Sequence, residues 1–153
     1  MSVNTSYNGF SAKIRSESWD WMKKEEKAGR LGPPLGCQVC GETGGHLDYH
    51  TEDYSKPFGP HIYEFQLCFR CHMMLHIRFR RQRAWKRYIE QLEAGAVYQP
   101  LMHRGEINKI NSDAWIDQPE MFGPPRERLE WFRSLTLSRA EDRDPSQAEL
   151  FPA

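Results

Sequence analysis

Two pairs of cysteines constrain the fold of this chain more than any other feature of its sequence. They are spaced as Cys37-x2-Cys40 and Cys68-x2-Cys71. Two residues between cysteines let both thiols turn toward one point, and two such pairs complete a tetrahedral shell of thiolates. The alternatives are four buried free thiols or two strained disulfides. We predict a structural zinc ion, whose binding would supply folding free energy to a small kernel.

The residues around these pairs predict how the kernel folds. The first pair lies in a glycine-flanked knuckle, CQVCGETGG, and the second pair begins a helix. Between them, HLDYH alternates as a short strand does, and IYEF (62–65) is its expected antiparallel partner. Knuckle, hairpin and helix in this order form a treble clef. We therefore predict an α+β fold, with a small zinc-bound kernel and flanking α-helices.

Helical segments are predicted on both sides of the hairpin. Ser16 or Ser18 can cap a helix that continues to Gly29. A helix from about Leu67–Phe69 to Phe79 is followed by QRAWKRYIEQLEAG, in which apolar residues recur at helical spacing. These residues are Trp85, Tyr88, Ile89 and Leu92.

The chain of 153 residues divides into three expected segments. Residues 1–34 form an N-terminal arm and helix, and residues 35–95 form the zinc kernel with its helical extension. Residues 96–153 form a C-terminal wrap with little periodicity, a helix near 124–135 and a mobile tail. Hydrophobic residues make up 39% of the chain, so the expected core is small.

Positive charge is concentrated in the kernel helices. The twenty residues from Phe69 to Tyr88 contain seven of the 21 basic residues and no acid, although the whole chain has zero net charge. DNA is the expected partner of such a run, through phosphate contacts. The alternative is a solvated basic face that pairs with acidic residues elsewhere in the chain. The basic residues are Arg70, Arg78, Arg80, Arg81, Arg83, Lys86 and Arg87.

The sequence lacks the marks of a membrane or secreted protein. No run approaches the roughly 20 apolar residues that a membrane span needs. The N-terminus, MSVNTSYNGFSAKIR, has no apolar signal-peptide core. We therefore expect a cytoplasmic location and no membrane partner, and a reducing compartment also favours metal binding over disulfides.

Three histidines predict a second metal site. His72 and His76 lie one turn apart on a helix face, and His50 ends the preceding strand. Cys71 and His72 project about 100° apart, so one can serve the zinc while the other serves a neighbouring, open site. Such a site polarises a phosphodiester. The alternative is that these are surface histidines on a nucleic-acid-binding helix.

These residues carry a resemblance. CQVCGETGGHLDYHTEDYSKP, followed by LCFRCHMMLH, is similar to the zinc-stapled branch of the HNH endonuclease family, especially its phage and bacterial members. They read C-x2-C-G, then His-His-x-Asp-Tyr-x-Lys-Pro, then L-C-x2-C-H-x3-H. The likeness covers about residues 35–79. It implies a ββα-metal fold that holds one divalent cation and cleaves DNA, and an origin in a phage or mobile element.

The resemblance also implies roles for single residues. His72 and His76 match the helix ligands of the cation, which we expect to be magnesium, manganese or nickel. Anchoring on 53–57 gives His50 the metal-binding position and places Thr51 where the family has its general base. In the other alignment His50 is the base and Tyr49 replaces the ligand.

One strand histidine is therefore missing in either alignment. A hydroxyl is a poor base at neutral pH, which counts against Thr51. His46 and His61 are the candidate substitutes for the catalytic base. The Asn of the family name has no counterpart between His50 and Cys68.

Two functions follow as expectations. The first is a zinc protein that binds DNA and hydrolyses phosphodiester bonds with a divalent metal, as a weak or degenerate HNH-type endonuclease. The alternative is a non-catalytic module that binds nucleic acid, or a protein partner through its flanking helices.

Overall fold

The computed structural model describes residues 5–125 and 129–140. Its elements are helices and two small sheets, so the predicted α+β class is confirmed. The chain forms two compact units. Of the described residues, the first unit holds 5–34, 49–65 and 138–140, and the second holds 35–48, 66–125 and 129–137. The three consecutive segments of the sequence analysis stay a prediction.

Within the part of the chain that the structure describes, the regular elements include four α-helices and four short strands. The helices are α1 (Ala12–Lys27), α2 (Phe69–Ile77), α3 (Gln82–Glu93) and α4 (Glu130–Arg133). The strands are β1 (Leu47–His50), β2 (Phe65–Cys68), β3 (Ala96–Val97) and β4 (Met121–Phe122). β1 pairs with β2, and β3 pairs antiparallel with β4. Three 3₁₀ helices lie at Pro60–Tyr63, Arg104–Lys109 and Ala114–Asp117.

The helix of the first unit begins earlier than predicted. Ser11 is its N-cap, and the Ser11 hydroxyl accepts a hydrogen bond from the backbone N–H of Ile14 at 3.3 Å. The predicted caps Ser16 and Ser18 are wrong, because both lie inside α1. The Ser18 hydroxyl donates back to the Arg15 carbonyl at 2.7 Å, a bond that serine makes within a helix.

The second strand of the hairpin lies three residues later than predicted. Residues 60–63 form a 3₁₀ helix, and the strand begins at Phe65. Pro60 explains the difference, since its fixed φ and missing N–H suit the first position of a helical turn better than a ladder. The strand predicted at 62–65 is therefore wrong in position, although its predicted pairing with the strand at 47–50 is confirmed.

The amphipathic helix of the second unit is confirmed. α3 spans Gln82–Glu93, with Trp85, Tyr88 and Leu92 buried. The Trp85 ring packs on Phe132, with their centroids 4.6 Å apart. Complete burial of a large apolar side chain stabilises a fold by about 1.5–3 kcal/mol. Gly95 ends the helix at φ +94°, and a side chain there would meet the Gly123 carbonyl.

The C-terminal part of the second unit contributes more to the core than predicted. Leu101, Ile110 and Ile116 are buried, so residues 96–119 do not simply lie on the surface. The helix predicted near 124–135 is wrong in extent, because only Glu130–Arg133 is helical and residues 126–128 lie outside the described residues. Of the predicted mobile tail, residues 138–153, the part from 141 onward also lies outside them, and Ala140 is buried.

No helix in the described ranges combines the length and apolar character that crossing a bilayer requires.

Candidate metal centre

The four cysteines converge in the second unit. Their sulfur atoms all lie within 4.8 Å of one another, and the sulfurs of Cys40 and Cys68 are 3.6 Å apart. Zinc–sulfur bonds of 2.3 Å in a tetrahedron place neighbouring sulfurs about 3.8 Å apart. The four cysteines therefore lie close enough to hold one metal ion, and their spacing fits zinc.

Backbone hydrogen bonds hold each pair in place. The N–H of Cys40 donates to the sulfur of Cys37 at 3.4 Å, and the N–H of Cys71 donates to the sulfur of Cys68 at 3.3 Å. The first pair turns at Gly41, which has φ +79° and therefore favours glycine. The second pair uses the start of α2, where Cys68 is the N-cap. The CxxC spacing thus lets each second cysteine support the first.

A tyrosine outside the two CxxC motifs contacts this sulfur centre. The hydroxyl of Tyr88 lies 3.1 Å from the sulfur of Cys71, and both residues are fully buried. Burial, followed by the neighbouring thiols, raises the pKa of Cys71 well above its ordinary range. Four thiolates can therefore be held together here only with a compensating cation. The sequence predicted Tyr88 as an apolar stripe residue and missed this contact.

The helix histidines lie beside the sulfur centre on α2. Nε2 of His72 and Nε2 of His76 are 3.1 Å apart. Two imidazole ligands of one zinc-like ion have nitrogens about 3.3 Å apart. Nδ1 of His72 donates to Oδ2 of Asp48 at 3.0 Å, which places the lone pair of His72 on Nε2. This carboxylate–histidine arrangement orients His72 as metal-binding histidines are oriented.

Asp48 organises the polar groups around His72. Its carboxylate lies 2.8 Å from Nε2 of His46 and 3.0 Å from Nη1 of Arg104. Burial would raise the pKa of Asp48, but the hydrogen bond and charge of His72, with Arg104 and His46, lower that pKa to about 2. We call Asp48, His46, His72, His76 and Arg104 the imidazole cluster. Sequence reasoning missed the role of Asp48, although its position two residues before His50 was a signal, and nothing pointed to Arg104.

His50 lies in the first unit and has its own carboxylate. Nε2 of His50 is 2.6 Å from Oε2 of Glu52, which also accepts a hydrogen bond from the hydroxyl of Tyr7 at 2.6 Å. Donation from Nε2 places the lone pair of His50 on Nδ1. The ring is oriented as a metal ligand or a general base would be. The predicted second site of His50 with His72 and His76 stays a prediction.

The remaining candidates for the base differ in their surroundings. The buried Thr51 hydroxyl donates its proton to the His61 carbonyl at 2.6 Å. This hydrogen bond holds the hydroxyl in the fold and makes it a poor candidate for the base. Nε2 of His61 lies 2.8 Å from the Ser55 carbonyl. His46 is 30% exposed at its side chain and belongs to the imidazole cluster. The resemblance places the family's general base at position 51. Because Thr51 is buried, a histidine substituted there would have to enter a buried position, and Thr51→His would not test whether that base has been lost.

Two of the predicted DNA-binding arginines are buried. The guanidinium of Arg70 donates to the Gln99 carbonyl at 2.8 Å and lies 4.6 Å from the Trp115 ring centroid. Arg78 is only 1% exposed, and it donates to the Thr136 carbonyl at 2.7 Å. Both side chains tie segments of the second unit together.

Two further arginines pair with acids, and the rest face solvent. Arg81 pairs with Asp113, and Arg87 pairs with Asp117 at 2.6 Å and with Glu90. For Arg81 and Arg87 the fold therefore favours the alternative of pairing with acids, whereas the buried Arg70 and Arg78 fit neither expectation. Within the described ranges, no acceptor lies in hydrogen-bonding reach of the exposed side chains that remain. They are Arg80, Arg83 and Lys86.

Comparison of this chain with protein-family models, with curated proteins and with solved structures finds no match.

Proposed function

We propose that this chain is a zinc-stabilised, HNH-like treble clef that binds DNA and hydrolyses phosphodiester bonds with a divalent cation. The observation that carries the proposal is the pair of imidazole nitrogens of His72 and His76, 3.1 Å apart, with Asp48 on the opposite nitrogen of His72. A histidine that serves only the surface needs no partly buried carboxylate to fix its tautomer.

Zinc at the four cysteines has a structural role in this proposal. A closed shell of four thiolates has no open position for substrate, so it contributes to folding rather than to chemistry. Its neighbour on α2 is open, because imidazoles can leave further positions for water and a phosphate. The proposal includes a ββα-metal fold for residues 35–79.

The chemistry is divided among the chain's own groups. A divalent cation, when bound, polarises the phosphodiester and stabilises the leaving oxygen. His72 and His76 would hold it, and Asp48 would keep His72 in the correct tautomer. His46, His50 or His61 would accept the proton of the attacking water. Thr51, and not a second histidine, directly follows His50. The activity we expect is therefore weak, since a positioned base typically contributes 10²–10⁴-fold.

Exposed basic side chains define the proposed DNA contact. Arg83 and Lys86 are one turn apart on α3, and Arg80 precedes the helix. We assign phosphate contacts to these three, because Arg70 and Arg78 are buried and Arg81 and Arg87 are paired. The paired arginines could exchange their acids for phosphates only at the cost of those ion pairs.

A second candidate function is a non-catalytic zinc module for nucleic acid or protein. Two observations favour it. The Thr51 hydroxyl already donates to a backbone carbonyl, and four of the basic side chains bond to carbonyls or acids of this chain instead of facing solvent alone. In that case the imidazole cluster would stabilise the fold, and the flanking helices would offer the partner surface.

Divalent-dependent nicking of supercoiled DNA separates the two candidates. We expect slow nicking with Mg²⁺, Mn²⁺ or Ni²⁺, and its loss in His72→Ala with the zinc content unchanged. His103→Ala is the matched control, since His103 is an exposed histidine of the same unit. Equal nicking by the wild type and His72→Ala, or none by either, would reject the catalytic proposal.

Salt dependence tests the DNA contact. The logarithm of the affinity should fall linearly with the logarithm of salt concentration, by about 0.9 per phosphate contact. Replacing Arg83 and Lys86 by Ala should flatten the slope by roughly one to two units. The control double variant Arg81→Ala/Arg87→Ala should flatten it less, because these side chains pair with acids. An affinity that does not change with salt would reject DNA binding through this face.

A further inference from the structure

We propose that Cys40 is the reactive thiolate of the sulfur centre and the first site of modification by small uncharged electrophiles and peroxide. Under peroxide it forms a disulfide with Cys68 and releases the metal. The inference rests on the zinc part of the proposed function and is independent of the nuclease part.

Exposure distinguishes Cys40 from the other three ligands. Cys37, Cys68 and Cys71 are 4%, 5% and 0% exposed, whereas Cys40 is half-buried. A reagent from solution therefore meets the sulfur of Cys40 before the others. Access is one of the two conditions for a reactive cysteine.

Hydrogen bonding supplies the other condition. The sulfurs of Cys37 and Cys68 each accept a backbone N–H, and the sulfur of Cys71 lies at the Tyr88 hydroxyl. Among the described residues, neither a backbone N–H nor a hydroxyl donates to the Cys40 sulfur, whose neighbours are the other three sulfurs. Donors withdraw charge from a thiolate, so Cys40 keeps the most electron density and is the strongest nucleophile of the four.

A cavity brings reagents to this sulfur. It has a volume of about 330 Å³, and its lining includes Cys40 and Cys68 as well as apolar residues such as Val97 and Leu101. Its charged lining groups are Arg70, Glu42 and Glu120. Because charges of both signs line the space, it does not select an anion or a cation. Neutral molecules of the size of hydrogen peroxide or N-ethylmaleimide are the class that it admits.

The reaction with peroxide needs no other oxidant. The thiolate of Cys40 attacks one oxygen, the O–O bond breaks, and hydroxide leaves and is protonated to water, giving a sulfenic acid on Cys40. The thiolate of Cys68 then attacks the Cys40 sulfur, the S–O bond breaks, and a second water leaves. The two sulfurs lose two electrons and peroxide gains two. Cys68 is the resolving partner because its sulfur lies 3.6 Å from that of Cys40. A disulfide between them would leave a bound metal with only two of its four thiolate ligands.

Labelling of the wild-type protein tests the order of reactivity. Zinc is counted first, and substoichiometric N-ethylmaleimide is then added, with peptide mass spectrometry locating the label. We expect Cys40 to react at least about tenfold faster than each of the other three. Equal labelling of the four, or another cysteine first, would overturn the proposal. A protein without zinc would overturn the metal-release step, while the labelling order would still decide the role of Cys40.

Peroxide and a cavity variant test the rest. Hydrogen peroxide should give a Cys40–Cys68 disulfide with one zinc released per disulfide formed, and any other pairing would contradict the assignment.

Val97→Phe should slow maleimide labelling of Cys40 by filling the cavity. Ile107→Phe, an exposed residue outside the cavity lining, is the matched control. Unchanged labelling in Val97→Phe with its zinc retained would show that the cavity is not the route.

Discussion

The sulfur centre and the imidazole cluster are neighbours on α2, yet they are built differently. Cys71 is fully buried, whereas the next residue, His72, keeps 11% of its side chain exposed. The cysteines are supported chiefly by N–H groups within their own CxxC turns. The histidines depend on distant residues, since Asp48 precedes His72 by 24 positions and Arg104 lies 56 positions beyond Asp48.

The difference teaches which centre serves the fold and which can serve chemistry. Local support and the burial of three of its four cysteines make the sulfur centre closed to substrate, as structural zinc sites are. Distant support and partial exposure leave the imidazole cluster open to solvent and dependent on the rest of the unit. Substitutions should therefore unfold the unit at the first centre and alter cation binding or pH dependence at the second.

The largest effect is expected from Cys68→Ser. This change replaces one of the four clustered thiols by a hydroxyl, which still caps α2 but is a poor zinc ligand. Structural zinc contributes roughly 10–16 kcal/mol of binding free energy in small domains, so we expect the second unit to lose its cooperative unfolding transition. Zinc content and circular dichroism on heating measure the result. Chelation of zinc from the wild type should reproduce it, and a Cys68→Ser protein with normal zinc and normal melting would contradict a closed structural centre.

A smaller and more selective effect is expected from His76→Ala. Its imidazole is one half of the nitrogen pair 3.1 Å from His72. Loss of a supporting residue around a metal typically costs 10–100-fold in affinity, so loss of a ligand should cost about 100-fold or more. Calorimetric titration with Mn²⁺ or Ni²⁺ measures the affinity, while zinc should stay at one per chain. If His76→Ala also lost its cooperative thermal unfolding transition, as we expect for Cys68→Ser, the two centres would not differ in the way proposed.

Asp48→Asn should reveal the charge of the imidazole cluster through pH. The pKa of Asp48 is lowered from 3.8 to about 2, so its ionised form stabilises the folded state by about 2 kcal/mol. Because the folded pKa is the lower one, this stability is present above pH 4 and is lost as the pH falls toward 2. Urea unfolding at pH 7 and at low pH measures it. The variant should lack this acid-dependent loss, and parallel pH curves for the two proteins would contradict it.

The smallest effect is expected from Arg104→Gln. Arg104 is 34% exposed at its side chain, and ion pairs of that kind contribute about 0.2–1 kcal/mol. Urea unfolding at low and high salt measures the loss, which salt should reduce. Lys109→Gln, at an exposed pair with Glu106, is the matched control. A loss greater than that in Asp48→Asn would mean that Arg104, and not the carboxylate, organises the cluster.

Local patterns predicted the parts of this molecule that depend on local physics. The CxxC spacing brought four sulfurs together, because two-residue turns fix where thiols point. The 3.6-residue period of Trp85, Tyr88 and Leu92 predicted α3 and its buried face. The sequence failed at 60–63, where a proline turn replaced the predicted strand.

Contacts between distant segments could not be predicted. Nothing in a run of basic residues indicates that Arg78 turns inward to the Thr136 carbonyl, 58 positions away. Arg104 likewise carries no local sign of its contact with Asp48. A charge pattern gives the number of basic residues on a segment, while burial is decided by what the remaining chain places opposite them.

The contact between Tyr88 and Cys71 offers an optical reading of the sulfur centre. The Tyr88 ring lies 5.4 Å from the ring of Trp115, close enough for excitation of the tyrosine to pass to the indole. The Tyr88 hydroxyl lies 3.1 Å from the sulfur of Cys71, so binding of a metal to that sulfur would change the surroundings of the phenol. Because the chain has five tryptophans, the signal of this pair is the difference between the wild type and Tyr88→Phe during metal loading and chelation.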